Sequence, residues 1–153
     1  MYDVKASIRN AEPADLDSLI YLLAALFAIE EDFIFDESRQ RRGLTLMLGN
    51  ERGCVLVAEA GGQVVGMCSG QLLISTAEGG LSLLVEDVVV HERWRGLGVG
   101  RQLIEAISDW ARANKVSRLQ LLADRNNIPA LDFYRSLGWQ TTELICLRTS
   151  VQR

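Results

Sequence analysis

The run Arg95-Gly96-Leu97-Gly98-Val99-Gly100-Arg101 sets glycines at alternate positions between a valine-rich stretch and an apolar stretch of helical period. Amide N–H groups of such a loop, continued by the unpaired donors of a helix N-terminus, can hold an anion such as a diphosphate. Glycine lets the backbone approach that anion closely, and Arg93, Arg95 and Arg101 add charge at the rim. A P-loop is excluded, because neither its lysine nor its hydroxyl is in place. The dinucleotide fingerprint needs a third glycine three positions after the second, where this chain has Arg101, and His91 to Arg95 part the strand from the glycines. Taken alone, the glycines also fit a tight strand-to-helix corner beside solvated arginines. Inside the valine run stand two carboxylates, Glu86 and Asp87, which strict strand alternation sends to opposite faces.

Composition excludes other chemistries. One histidine, His91, and three cysteines without a CxxC pair offer little for a metal site, so none is expected. Cys54, Cys68 and Cys146 lie in apolar strand-like runs and read as reduced thiols. Sixteen basic against twenty acidic residues give a net charge of -4, which argues against nucleic acid as the main partner and fits small cations better. The longest apolar run, LIYLLAALFAI, falls short of the roughly 18 residues that span a bilayer, and the N-terminus is polar. A soluble, cytoplasmic protein without membrane attachment is expected.

These groups must be positioned by a chain of 153 residues, 48% hydrophobic, which predicts one domain over 1–153. VKASIRNA predicts a strand, and Leu16, Leu19, Ile20, Leu23, Leu26 and Phe27 a first helix with Pro13 near its start. A second helix is predicted around Glu37 to Leu48. CVLVAEA and QVVGMCSGQLLI flank Gly61-Gly62 as a hairpin, and LSLLVEDVVV reads as an interior strand. Beyond the glycines follow a helix carrying Leu103, Ile104, Ile107, Trp110 and Ala111, the strand RLQLLA, the helix NIPALDFYRSLG, and WQTTELICLR as the strand closing the sheet. The order β-α-α-β-β-β-α-β-α-β describes a mixed α/β sandwich.

Arg95 to Gly100 resembles the R/Q-x-x-G-x-G/A motif of the GNAT superfamily of acetyl-CoA-dependent N-acetyltransferases. Asn127 to Tyr134, ending in Leu137-Gly138-Trp139, looks like that family's N-x-x-A-x-x-F-Y-x-x-x-G-F segment, with Trp139 for the usual phenylalanine. The strand Val85 to Val90 and the element order also match. The proline common shortly before the arginine is Glu92 here, a change that bears on loop stiffness more than on chemistry.

The resemblance implies an acyl-CoA N-acyltransferase fold, a mixed sheet of about six to seven strands with flanking helices. It assigns Val88, Val89 and Val90 to acetyl-CoA, as a strand splayed from RLQLLA whose backbone pairs with pantetheine amides. It gives the diphosphate to Arg95, Gly96, Leu97, Gly98, Val99, Gly100 and Arg101. Asn127 would touch the cofactor, cap the last helix, or do both. Tyr134 would protonate the leaving thiolate, though its spacing with Ala130, Phe133 and Leu137 equally fits a core aromatic. An amine must lose its proton before attack, and by position Glu86 is the preferred base, with Asp87 or a water as alternatives.

The acceptor is expected to be an amine of a small molecule or peptide. EEDFIFDE, between the first two helices, could attract a polyamine, an aminoglycoside or a basic peptide end, or be a solvated linker pinned by Phe33 and Phe35. Two other classes compete: a CoA-binding module without turnover and a dinucleotide-binding oxidoreductase. Similar proteins are often homodimers, but no heptad or exposed stripe marks an interface.

Overall fold

In a computed structural model describing residues 3–30 and 32–152, the chain divides into two compact units, one through Leu121 and the other from Leu122 on. The first contains a sheet in the order β1 (Ser7–Asn10), β2 (Gly53–Ala60), β3 (Gln63–Ser75), β4 (Gly80–Val90), β5 (Val116–Leu121). The first four strands are antiparallel neighbours, and β5 runs parallel to β4. Gly61 and Gly62 close the β2–β3 hairpin at φ of 58° and 75°, a region that side chains with a Cβ avoid.

Helix α1 (Leu16–Ile29) follows a 3₁₀ turn at Pro13–Asp15, and α2 (Glu37–Leu48) starts where Asp36 accepts from the N–H groups of Ser38 and Arg39. The first matches the apolar spacing of the sequence, and the second the expected span of Glu37 to Leu48. Leu19, Leu22 and Leu23 of α1 and Leu44 of α2 bury against Val55, Val57, Met67 and Val89, one face of the sheet. Alternation puts Cys68 on the opposite face, where its thiol meets the Leu103 carbonyl of α3 (Val99–Ala113). Helix α3 sits close because β3 carries Gly66 and Gly70 beneath it. A Cβ on Gly70 would stand 3.0 Å from Leu83 Cδ1 and 3.1 Å from Ile107 Cδ1.

The sandwich is held at its open side by Arg9. Its guanidinium donates to both Asp15 oxygens, at 2.8 and 3.0 Å, and to Glu59 at 2.8 Å. The hydrogen bonds from Arg9 hold the Asp15 carboxyl below the usual range, against the opposing effect of burial.

In the second unit, α4 (Ile128–Ser136) begins at Asn127, whose Oδ1 accepts from the Ala130 N–H at 3.2 Å, with Pro129 in its first turn. Gly138, at φ 92°, ends it, and the Trp139 N–H returns to the Tyr134 carbonyl at 3.0 Å. Two expectations need correction. The sheet has five strands among the described residues, not six to seven, and WQTTELICLR forms no strand. Leu144, Ile145, Leu147 and Val151 of the tail are exposed. A strand needs both a ladder and a buried face, and β-branched composition alone supplies neither. No helix among the described residues is long and apolar enough to cross a membrane.

Candidate active site

Strands β4 and β5 pair from Leu81↔Val116 to Val85↔Leu121, where β5 ends. Strand β4 continues to Val90 with β3 as its remaining partner, so Glu86 to Val90 present an open edge about 17 Å long at ~3.4 Å per residue. The His91 N–H donates to the Val65 carbonyl at 2.7 Å. By the alternation of an antiparallel ladder, Val89 then bonds toward β3, while the backbone groups of Val88 and Val90 face the side β5 has left. Val89 turns its side chain into the core, and the Val90 carbonyl accepts from Arg95 Nε at 2.9 Å. Thus Arg95 ties the glycine loop to the end of the open edge.

A bulge lies at the start of this edge. Gly70 faces Val85 and Cys68 faces Val88, so Glu86 and Asp87 together stand opposite the single residue Ser69. The register slips by one, and simple alternation no longer divides the two acids between faces. The displaced Asp87 N–H finds the Ser69 hydroxyl oxygen at 3.2 Å, and that hydroxyl donates to Asp87 Oδ2 at 3.2 Å. Glu86 is exposed, whereas Asp87 is half-buried. Burial, and then the neighbouring Glu86 charge, push the Asp87 carboxyl up to about 6, with the Ser69 bond opposing them. Such a group changes charge near neutral pH, where a general base is useful.

At the far end of the edge, Gly96 and Gly98 adopt φ of 73° and 83°, and Gly98 is the N-cap of α3. The Gln102 N–H makes the first intrahelical bond, to the Gly98 carbonyl at 3.1 Å. The N–H groups from Gly98 to Arg101 are therefore the unpaired donors of the helix start, and no acidic residue occupies its first turn. Val99 is buried and Leu97 half-buried, so the loop's apolar side chains turn inward and its backbone outward. Arg93 is exposed. Arg101 pairs with Asp3 and, at 3.4 Å, with Glu105.

In the second unit, Tyr134 is half-buried, edge-on to Phe133 at 5.1 Å and tilted against Trp139 at 5.6 Å. None of the α4 side chains is fully buried. Asn127 is the helix cap described above. His91 stacks on Tyr21, with centroids 5.4 Å apart, and its Nδ1 accepts from the Arg93 N–H. Within EEDFIFDE, Asp36 caps α2, Glu37 pairs with Arg41, and Phe33 leans on Phe27 at 5.7 Å; Ile34 is exposed, and Glu31 lies outside the described residues. Among the described residues no cluster of three His, Cys, Asp or Glu side chains is arranged for a metal ion.

Sequence reasoning missed Ser69 and Asp3. A serine in the otherwise apolar run GMCSG was a signal for the first. Nothing local marked the second.

The model of the Acetyltransferase (GNAT) family matches residues 20–139. The aminoglycoside N(6′)-acetyltransferase type 1 of Stenotrophomonas maltophilia is 27% identical over 143 residues, 91% of this chain and 89% of its own. The glucosamine 6-phosphate N-acetyltransferase of Trypanosoma brucei brucei is 28% identical over 147 residues, 92% of each chain. Other curated relatives match in part, this chain spanning 27% and 41% of two of them. A solved aminoglycoside N-acetyltransferase in complex with CoA superposes with a TM-score of 0.83 at 17% identity, over 97% of this chain and 96% of that one, a likeness of fold. With a family match over residues 20–139, this chain belongs to the GNAT family of acetyltransferases.

Proposed function

We propose that the protein transfers the acetyl group of acetyl-CoA to a primary amine of a small molecule or peptide by direct attack. The observation that carries this reading is the open edge of β4 from Glu86 to Val90, with a carboxylate bulge at one end and a left-handed glycine loop at the other. Acetyl-CoA supplies an activated thioester. Val88 and Val90 would pair through their backbones with its pantetheine amides as an added strand does, Gly96 to Arg101 would take its diphosphate, and the family resemblance adds Asn127 to the cofactor contacts.

The base comes from the bulge. Glu86, exposed, is the group an incoming ammonium meets first, and Asp87, with its raised pKa, is the better-matched proton acceptor. The C–N bond forms as the C–S bond breaks, the amine proton passes to the carboxylate, and the thiolate takes a proton from the Tyr134 phenol, a hydroxyl donor. Two of the well-covered relatives are named for amino-sugar acceptors, so amino sugars head the candidates.

The test is release of free CoA thiol across a panel of amino sugars, polyamines and peptide amines, with calorimetry for CoA and NAD. Thiol release that depends on one amine class is the expected result. CoA binding without transfer to any amine would make the protein a binding module, and NAD binding in place of CoA would overturn the reading.

A further inference from the structure

A carboxylate from this chain stands at the start of α3. Asp3 lies directly over Gly98: an ideal Cβ there would stand 2.6 Å from Asp3 Cγ and 2.7 Å from its Oδ2. The same Oδ2 pairs with the Arg101 guanidinium. The segment behind it is held on the loop. The Val4 N–H donates to the Leu97 carbonyl at 2.8 Å, Gln102 Nε2 donates to the Val4 carbonyl at 2.7 Å, and Gln102 Oε1 accepts from the Ala6 N–H at 3.0 Å. Residues 4–6 are thus fastened by three bonds to the loop and to α3, and they carry Asp3 to the helix N-terminus.

We propose that Asp3 is a tethered anion that occupies the diphosphate position and must leave before the cofactor binds, so that the N-terminal strap restrains cofactor affinity. This rests on reading Gly96 to Arg101 as the diphosphate loop. An anion at a helix start is favoured by the dipole and the unpaired N–H groups, and an arginine beside it adds to the preference. A carboxylate and a diphosphate have the same claim on both. They cannot share the space over Gly98, and like charges repel at that distance. Because Asp3 is attached to the chain, it competes at every cofactor concentration, and the observed Kd is the intrinsic one divided by the fraction of molecules whose Asp3 carboxylate has left the loop. The contact is half-exposed, with Asp3 at 55% and Arg101 at 42% side-chain exposure, so the restraint is modest. The anchoring bonds involve the backbone of Val4 and Ala6, which a change at Asp3 leaves in place.

The experiment measures CoA and pantetheine binding by calorimetry for the wild-type chain, Asp3→Asn and Asp3→Ala, with thermal melts of each. Pantetheine lacks the diphosphate and serves as the internal control. Removing the charge is expected to tighten CoA binding by about threefold to tenfold and leave pantetheine unchanged. Unchanged or weaker CoA binding in both variants, or equal tightening for pantetheine, would overturn the proposal. If the wild-type chain and both variants fold yet none binds CoA, the diphosphate-loop reading itself fails, a result distinct from a strap without effect.

Discussion

Replacing Asp87 by asparagine tests the bulge where its chemistry and its energetics meet. In the folded chain the Asp87 carboxyl is pushed up to about 6 from an ordinary value of 3.8, chiefly by burial. Two pKa units correspond to about 3 kcal/mol, the cost of holding this charge in the folded state rather than the unfolded one. The sign follows from the direction of the shift. A folded state that binds the proton more tightly is favoured below the unfolded pKa, and this contribution is lost as pH rises through about 6. Asparagine keeps the shape and can still accept from Ser69 Oγ, and it has no charge to bury. The variant and the wild type should therefore unfold alike in urea below about pH 4, and by about pH 8 Asp87→Asn should be the more stable by up to about 3 kcal/mol. Activity should move oppositely. The wild-type kcat/KM is expected to fall on an acid limb centred near pH 6, and the variant to lose turnover across the range. A stability difference that does not change with pH, or a variant weaker than the wild type at about pH 8, would refute the burial of a reluctant charge at this position.

Tyr134→Phe should lower kcat by about 10 to 10³-fold with acetyl-CoA affinity nearly intact, read by steady-state kinetics and calorimetry; an unchanged kcat, where chemistry limits turnover, would make Tyr134 a packing residue. Gly98→Val should abolish CoA binding and also cost about 1–2 kcal/mol of stability, since the residue sits at φ 83° and its Cβ would collide with Asp3. Adding Asp3→Ala to that variant should recover part of the stability and none of the affinity. Arg9→Ala should destabilise by about 2 kcal/mol at neutral pH, because the buried Asp15 is left without the partner that lowers its pKa. That loss should shrink in acid as Asp15 takes up its proton, and urea titrations at two pH values would show it.

Much of this architecture was legible in the chain. Apolar residues at helical spacing marked α1, because burying one stripe is what stabilises a short helix, and α2 was placed around Glu37 to Leu48, where it lies. Gly61-Gly62 marked the hairpin for a similarly local reason, since those two residues alone determine whether the turn can close. The left-handed turn of the glycine loop was legible from residue types, and its register with Asn127 and Tyr134 pointed to the family. The closing strand was misread because strand formation depends on a partner, and nothing in WQTTELICLR specifies one.

What the sequence determined by itself is the set of local structures and the presence of a glycine loop beside a valine strand, because turns, caps and periodicity act over a few residues. Only the tertiary structure decided which carboxylate is the reluctant one and what lies on the loop. Ser69 and Asp87 are 18 residues apart and meet through a one-residue slip in a ladder. Asp3 and Arg101 are 98 apart and meet because the segment ahead of β1 is bonded to Leu97 and to Gln102 of α3. Desolvation and charge pairing depend on distance in space, and that distance is set by the packing of whole elements.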